Sequence, residues 1–399
     1  MKQTLAVSVR THHHEVADIF NRHGDQYREN KNLSYEQLKV MRHIQICRTA
    51  ELGGHVEQCN ECGFEKISYN SCRDRHCPKC QTMTKEKWLN ARKNELLPCG
   101  YFHLVFTLPH TLNPIILCNK KIMLAILFAS VNETLQAFAK DPQWRLNGQL
   151  GIIAVLHTWS QTLLDHFHLH CLVPAGALSP EQDKWNPSRE SFLFRVDSLA
   201  KEFSKRYLLK LEKAYKKNKL IFPGKTASTG SEKTFAEMIY KLSTTRWITY
   251  AKRPFAGPEQ VLEYLGRYTH RVAISNNRLI AVENGQVAFT YRDRESNNEK
   301  KIMTLDSDEF IRRFLLHVLP KGFMKIRYFG FLSNIKKKQC ILLIRQLIEP
   351  MAEQPKQVEE TIQQIMQRVT GTDITCCPQC LKGKMIKIRE LARPVWDTS

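Results

Sequence analysis

The sequence predicts an α+β fold in which a helical, cysteine-rich N-terminal part precedes a larger part with paired strands. Three observations carry this prediction: cysteine pairs between two helical patterns, long segments with apolar residues at helical spacing, and two strand-like runs joined by a short link. Apolar residues make up 42% of the chain, which is enough for a packed core. At 399 residues the chain exceeds the usual size of one domain, so we expect units at 1–98, 99–335 and 336–399.

The N-terminal unit is expected to contain two helices around a cysteine-rich stretch. Residues 35–48 carry apolar side chains at helical spacing, and Ser34 with Gln37 suits a capping box at the start of that helix. The cysteine-rich stretch follows directly, and a second helix is expected over 85–97.

The middle of the chain alternates between strand and helix patterns. Residues 101–108, YFHLVFTL, predict a buried strand that stops at a proline, and a long helix is expected over 116–140. The runs 151–161 and 167–174 are separated by TLLDH and predict an antiparallel hairpin. A lysine-rich helix is expected over 198–220, and its charged face suits either solvent or a nucleic acid equally well.

The last part of the chain is expected to add a strand over 247–251 and a helix from 258 through 268. Residues 278–292 alternate around Asn284-Gly285, which predicts a hairpin with a type I′ turn. A polar amphipathic helix over 349–368 and a short CCPQC cluster complete the prediction.

The charge balance favours a polyanionic partner. Sixty Lys and Arg residues against thirty-nine Asp and Glu residues leave a formal charge of +21 at pH 7. Nucleic acid is the commonest partner for such a surface, because each neutralised phosphate releases a condensed counterion. The alternatives are charge for solubility, or a protein of the ribosome or membrane surface.

The N-terminus contains no apolar region of the kind that a signal peptide requires, and the apolar stretch at 115–131 is interrupted by Asn119, Lys120 and Lys121. We therefore expect a soluble, unexported protein. In such a protein thirteen cysteines are better interpreted as metal ligands and buried thiols than as a disulfide framework.

Two Cys-x-x-Cys pairs predict a structural zinc site. Cys59 and Cys62 are separated by fourteen residues from Cys77 and Cys80, which lets two tight turns converge on one tetrahedral ion. A second zinc could use the remaining soft ligands of this stretch, or these residues could be buried, exposed or supporting residues: Cys47, His55, Cys72 and His76. The C-terminal thiols lack an evident fourth ligand, so a partial zinc knuckle and no metal site are equally open, and we assign no metal to Cys376, Cys377 and Cys380.

The segment HFHLHCLV predicts a catalytic metal site. Alternate residues of a strand point the same way, so His166, His168 and His170 share one face. Buried imidazoles need partners, and an exposed histidine face or a structural zinc site is the simpler alternative. Gln161 precedes His168 by seven residues and could add an oxygen ligand if the preceding run returns antiparallel. Such an incomplete shell suits Mg²⁺ or Mn²⁺ acting on a phosphate.

Two further histidines and two tyrosines lie near this pattern in the sequence. His103 and His157 fall on predicted strands and are weaker ligand candidates. Tyr264 and Tyr268 are four residues apart on one predicted helical face, and a phenol can act as a covalent nucleophile at phosphorus. Tyrosines at this spacing are more often core residues. The candidates for holding flanking phosphates are basic residues of the same region, although solvation explains each of them equally well: Lys252, Arg267, His270 and Arg271.

At these residues the chain resembles the two-tyrosine HUH transposases of rolling-circle insertion sequences, the insertion-sequence ninety-one family. The matching segments extend from about residue 47 to 332 and are CRTAELGGHVEQCNECG, YNSCRDRHCPKCQ, HLVFTLPH, HTWSQ, HFHLHCLVPAGALS, YAKRPFAGPEQVLEYLGRYTHRVAISN and RYFGFL. Together they are specific for this family.

The resemblance implies a HUH nuclease core, an antiparallel sheet flanked by helices, behind a zinc-binding domain. It implies His168 and His170 as ligands, with Gln161 as the third by similarity to related initiators, and Tyr264 and Tyr268 as nucleophiles. The activity implied is a metal-dependent cleavage and transfer of single-stranded DNA through a 5′-phosphotyrosine, in a bacterial cytoplasm and at the nucleoid. The alternatives are a plasmid replication initiator or relaxase, or a non-catalytic zinc-dependent regulator that binds DNA.

Overall fold

The computed structural model describes residues 14–189, 193–255, 260–261, 266, 272–293, 295–351 and 360–394. The helices in this part of the chain are α1 (Val16–Asn30), α2 (Tyr35–Gln45), α3 (Pro78–Lys93), α4 (Asn113–Cys118), α5 (Lys120–Lys140), α6 (Val196–Lys216), α7 (Glu232–Thr244), α8 (Ser307–Leu316), α9 (Lys337–Ile348) and α10 (Ile362–Thr370). The strands are β1 (Gly54–Cys59), β2 (Glu65–Tyr69), β3 (Tyr101–Thr107), β4 (Gly151–Trp159), β5 (Asp165–Pro174), β6 (Gly176–Leu178), β7 (Trp185–Pro187), β8 (Thr249–Phe255), β9 (Leu279–Glu283), β10 (Gln286–Asp293), β11 (Glu299–Asp306), β12 (Ile326–Gly330) and β13 (Met385–Leu391).

A five-stranded antiparallel sheet of order β12-β4-β5-β3-β8 forms the centre of the fold. Strands β4 and β5 form the expected hairpin. One face of the sheet packs its apolar residues against α5 and α6, with Phe106 meeting Phe203 of α6 at 5.2 Å between ring centroids. This architecture of helices on an antiparallel sheet confirms the predicted α+β class.

The long helix expected over 116–140 is divided at Asn119. Its side-chain amide donates to the carbonyl oxygens of Ile115 and Ile221, at 3.1 and 2.8 Å, and α5 begins at the next residue. By length and composition α5 could cross a membrane, but more than half of its apolar stretch is buried inside the fold. A helix that supplies the core between a sheet and α6 needs the same composition.

A second sheet, of order β13-β1-β2, belongs to the cysteine-rich part. Strand β1 pairs antiparallel with β2 and also with β13 from the C-terminal end of the chain. Helix α2 begins with the predicted capping box between Ser34 and Gln37. Helix α3 begins earlier than expected, at Pro78 directly after Cys77, because proline suits the first helical position.

A third sheet, of order β11-β10-β9, packs with α8 and with the N-terminal helix α1. Phe20 of α1 meets Phe314 of α8 edge to face at 5.4 Å. The turn between β9 and β10 is the predicted one, since Asn284 and Gly285 both have positive φ, at 50° and 74°.

The prediction of a helix over 349–368 is wrong at its start. Helix α9 ends at Ile348, ahead of Pro350, and α10 begins only at Ile362 behind a capping box formed by Thr361 and Gln364. Proline at 350 lacks the amide hydrogen that a continuing helix needs. The predicted strand at 247 also starts later, at Thr249, and the buried Trp247 before it donates its indole N–H to the Leu242 carbonyl at 3.0 Å.

Candidate metal centres

The sheet face opposite α5 and α6 carries a row of imidazoles. The register places His168 opposite His157 and Thr107, and places His170 opposite Val155 and Val105. Leu169, Cys171 and Val173 of β5 belong to the core on the other face, as the alternation predicts.

His168 and His170 direct ring nitrogens at one another. Their Nε2 atoms are 3.1 Å apart, and the Nδ1 of His168 donates to the backbone oxygen of His166 at 2.8 Å. That contact leaves the lone pair of His168 on Nε2, facing the site. Two nitrogens at neighbouring positions of an octahedral Mg²⁺ or Mn²⁺ centre lie about 3 Å apart, so the spacing fits such an ion.

His103 holds the second imidazole in place. Its Nε2 lies 2.9 Å from the Nδ1 of His170, and the two rings stack at 5.2 Å. Burial, with a contribution from Lys252, lowers the pKa of His103 to about 3. A neutral His103 can accept a hydrogen bond from Nδ1–H of His170, which keeps the Nε2 lone pair of His170 available.

The third imidazole of the site is His157. Ligand atoms of His157, His168 and His170 all lie within 4.8 Å of one another. His157 is buried, and its ring lies 4.4 Å from that of His170. Strand β4 ends at Trp159, so Gln161 falls in the turn, where Arg278 binds its backbone oxygen at 2.6 Å. The seven-residue spacing between Gln161 and His168 could not show which residue lies opposite His168, because the register of the hairpin decides that.

His317 hydrogen-bonds to the β4–β5 hairpin, and its burial makes the free energy of unfolding depend on pH. It is fully buried between the Thr158 hydroxyl and the Leu163 carbonyl oxygen, at 3.2 and 3.0 Å, and burial lowers its pKa to about 4.

We expect acidification from pH 7 to pH 5 to lower the free energy of unfolding through this group by on the order of 2 kcal/mol. The unfolded histidine takes up a proton below about pH 6.5, whereas the folded one does not until near its lowered pKa, so stability present at neutral pH is lost as pH falls. Urea denaturation at both pH values checks this, with His317→Asn as the comparison. An equal pH dependence in the variant would contradict the assignment.

The cysteine-rich part holds one cluster of four thiols around the start of α3. Cys47, Cys72, Cys77 and Cys80 have sulfur atoms within 4.8 Å of one another, with 3.6 Å from Cys80 to both Cys47 and Cys72. Sulfurs bound at about 2.3 Å to one tetrahedral zinc lie about 3.8 Å apart, so this set fits zinc. Hydrogen bonds from Cys72 and Cys77 lower the pKa of Cys47 to about 7, which favours the thiolate.

The second cluster corrects the predicted grouping of the cysteines. Cys59 and Cys62 do not join Cys77 and Cys80. They meet Cys377 and Cys380, with Sγ–Sγ distances of 3.7 Å from Cys59 to Cys380 and from Cys62 to Cys377. The signal that could have found these residues is their own spacing, since Cys377-x-x-Cys380 repeats that of the Cys59 pair.

The two histidines proposed for a second zinc lie outside both clusters. His55 faces Glu57 at 3.5 Å on β1. His76 is partly buried, its backbone amide donates to Asp74 at 2.8 Å, and desolvation of its ring lowers its pKa to about 3. The set Cys47, His55, Cys72 and His76 is therefore wrong as a group, because only its cysteines meet.

The predicted nucleophile helix falls largely outside the described residues, and so do Tyr264, Arg267, Tyr268, His270 and Arg271. Two described positions of this segment have defined surroundings. Val261 is fully buried in an apolar cluster with Val155 and Leu172, which flank His170 on the imidazole face. A Cβ atom at Gly266 would lie 2.9 Å from Leu89 of α3.

Cationic and aromatic residues surround the imidazole row. Lys252 is exposed on edge strand β8, opposite His103, and Tyr250 two residues earlier is 49% exposed on the same face. At the His166 end of the row, a groove of about 560 Å³ is lined by His166 together with Lys241 and Arg246.

Comparison with known proteins gives two family matches and two related proteins. The family described as “Transposase zinc-binding domain” matches residues 19–108, and the family described as “Putative transposase” matches residues 151–339. “Putative transposase y4qJ” of Sinorhizobium fredii is 45% identical over 394 residues, which cover 96% of this chain and 98% of the relative. “Transposase for insertion sequence element IS801” of Pseudomonas savastanoi pv. phaseolicola is 29% identical over 304 residues, covering 75% and 70% of the two chains. No solved structure matches.

The first match contains the four-thiol cluster at α3, so the cysteine-rich part is a domain that binds structural zinc. The second match contains the imidazole row of β4 and β5. The chain therefore belongs to the insertion-sequence ninety-one family of transposases and carries an N-terminal transposase zinc-binding domain.

Proposed function

We propose that this transposase is a metal-dependent endonuclease and strand transferase of the HUH type, acting on single-stranded DNA in rolling-circle transposition. The observation that carries the proposal is the convergence of three buried imidazoles on one sheet face. The same face buries Val261, three residues before Tyr264. Membership of a transposase family supports a DNA substrate.

His157, His168 and His170 would hold the catalytic Mg²⁺ or Mn²⁺, with His103 as the residue that positions His170. When bound, the ion supplies Lewis-acid polarisation of a phosphate oxygen. Gln161 is replaced by His157 in this proposal, because Gln161 lies in the turn beyond β4.

Replacing His157 tests the ligand set. We expect His157→Ala to weaken Mn²⁺ affinity at least about tenfold, since even supporting residues of metal sites cost 10- to 100-fold when removed. Gln161→Ala is the matched control and should leave the affinity unchanged. Titration calorimetry measures both, with thermal melts to show that the variants are folded. Loss of Mn²⁺ affinity in Gln161→Ala but not in His157→Ala would identify Gln161 as the third ligand.

Tyr264 and Tyr268 would be the nucleophiles. In the proposed step a phenolic oxygen bonds to phosphorus, the bond from phosphorus to the 3′ oxygen breaks, and the departing oxygen is protonated to a 3′-hydroxyl. The phosphotyrosine retains the ester for a later transfer, in which the second tyrosine accepts the other strand. The 3′-hydroxyl can prime replication.

The surroundings of the imidazole row suit a single strand better than a duplex. Unpaired bases can stack on an exposed aromatic ring such as that of Tyr250, while Lys241 and Lys252 meet the phosphates. We assign Arg267, His270 and Arg271 to the same strand on the basis of sequence alone. The surplus of +21 charges supports affinity that does not depend on base sequence.

The thiol cluster at α3 is proposed as a structural zinc site with Cys47, Cys72, Cys77 and Cys80 as ligands. It lies next to α3, whose Trp88 and Arg92 both bind the Tyr328 hydroxyl of β12, at 3.1 and 2.8 Å. The zinc would therefore fix a helix that braces the edge of the catalytic sheet.

A cleavage assay with labelled oligonucleotides tests the proposed function. With Mn²⁺ we expect a covalent protein–DNA adduct from a single-stranded terminus of the element, none from the same sequence as a duplex, and none with EDTA. Binding without cleavage under all conditions would favour a non-catalytic regulator, and adduct formation undiminished by EDTA would exclude the metal mechanism.

A further inference from the structure

We propose that Cys59, Cys62, Cys377 and Cys380 form a second zinc site, which fastens the C-terminal end of the chain to the N-terminal zinc-binding domain. The paired sulfurs are 321 and 315 residues apart in sequence and yet lie 3.7 Å from one another. That separation matches the value of about 3.8 Å for thiolates on one tetrahedral zinc. The family match to the zinc-binding domain ends at residue 108, so half of these ligands lie far outside it.

Each cysteine pair has the backbone of a metal-binding turn. The amides of Glu61 and Cys62 point at the sulfur of Cys59, at 3.4 and 3.5 Å. The C-terminal turn repeats this, since the amides of Gln379 and Gly383 point at Cys377 and Cys380, at 3.4 and 3.3 Å. Amide donors aimed at sulfur stabilise thiolates, which are the form that binds zinc.

The two turns also fit tightly against one another. A Cβ atom at Gly383 would lie 2.4 Å from the sulfur of Cys59, so only glycine allows this approach. Asn60 accepts from the Lys384 amide at 2.7 Å through its side chain, and its own amide donates to the Lys384 carbonyl at 3.1 Å. Without a metal, four thiols this close together would oxidise readily to disulfides, whereas one zinc ion coordinates all four of them.

The proposed zinc site is one of several contacts between the C-terminal segment and the N-terminal zinc-binding domain. Two residues after Gly383, β13 begins and pairs with β1 from Cys59 back to Gly54, with one register shift between Val56 and Glu57. Ahead of the cysteines, Arg368 of α10 reaches the buried carboxylate of Glu86 on α3 at 3.0 Å. Without the metal, only non-covalent contacts such as these would hold a segment that returns from more than 300 residues away, against the entropy of a very long loop.

The zinc content of purified, reduced full-length protein tests the inference. Native mass spectrometry should show one zinc fewer per chain in Cys377→Ser with Cys380→Ser than in the wild type. Cys376→Ser is the matched control, because its thiol lies beside the cluster but outside it, and it should keep the full zinc content. Equal zinc content in the double variant and the wild type would overturn the proposal.

Two further readouts separate metal loss from a general folding defect. Hydrogen–deuterium exchange should show β13 and β1 losing protection in the double variant, while the amides of α5 and β5 remain protected. Gly383→Ala keeps all four thiols and should still lower zinc occupancy, because its methyl group displaces the turn from Cys59. Unchanged protection of β13 in the double variant, or intact-mass evidence of disulfides in place of zinc, would contradict the proposed site.

Discussion

Replacing Tyr264 and Tyr268 together by phenylalanine is expected to abolish the covalent adduct with single-stranded DNA while binding survives. Phenylalanine keeps the ring and removes only the oxygen that would bond to phosphorus, so the covalent step loses its nucleophile. Each single variant should retain one round of attack if either phenol can act first.

The measurement is a denaturing gel with an oligonucleotide labelled at its 3′ end, since a 5′-phosphotyrosine stays with the downstream fragment. Binding is followed by fluorescence anisotropy. Tyr250→Phe is the control, because Tyr250 is exposed on the same face but is not proposed as a nucleophile. Adduct formation by the double variant would exclude both tyrosines and with them the central step of the mechanism.

Replacing His168 or His170 by alanine is expected to reduce cleavage by roughly 10³-fold or more, because metal polarisation of a phosphate is worth several kcal/mol and each 1.4 kcal/mol is tenfold. Both imidazoles direct Nε2 at the same point, so neither can replace the other. Single-turnover rates with saturating oligonucleotide isolate the chemical step from binding.

His166→Ala is the matched control for these two variants. His166 lies on the same strand and face, but the three-imidazole cluster does not include it. Its ring lines the groove beside Lys241, so its loss should act on DNA affinity and leave the single-turnover rate at saturation largely unchanged. An equal loss of rate in His166→Ala and His168→Ala would mean that the row serves DNA binding and holds no catalytic ion.

Local patterns allowed much of the fold to be predicted. The capping box at Ser34, the positive-φ turn at Asn284-Gly285 and the pairing of β4 with β5 all depend on residues close together in the chain. Strand alternation likewise placed His168 and His170 on one face and Cys171 on the other. The tail helix does not start at residue 349 as predicted, because α9 ends at Ile348 and Pro350 cannot continue it.

The sequence by itself determined the α+β class, the imidazole row of β5 and the presence of zinc-binding cysteine pairs, because each depends on spacing within a few residues. Only the tertiary structure decided which of these residues meet at one metal site. It brings His157 to the site through the register of a hairpin, and it brings Cys377 to Cys62 across 315 residues. Spacing shows which residues can be ligands, whereas the set that meets is decided by long-range strand pairing, here of β13 with β1.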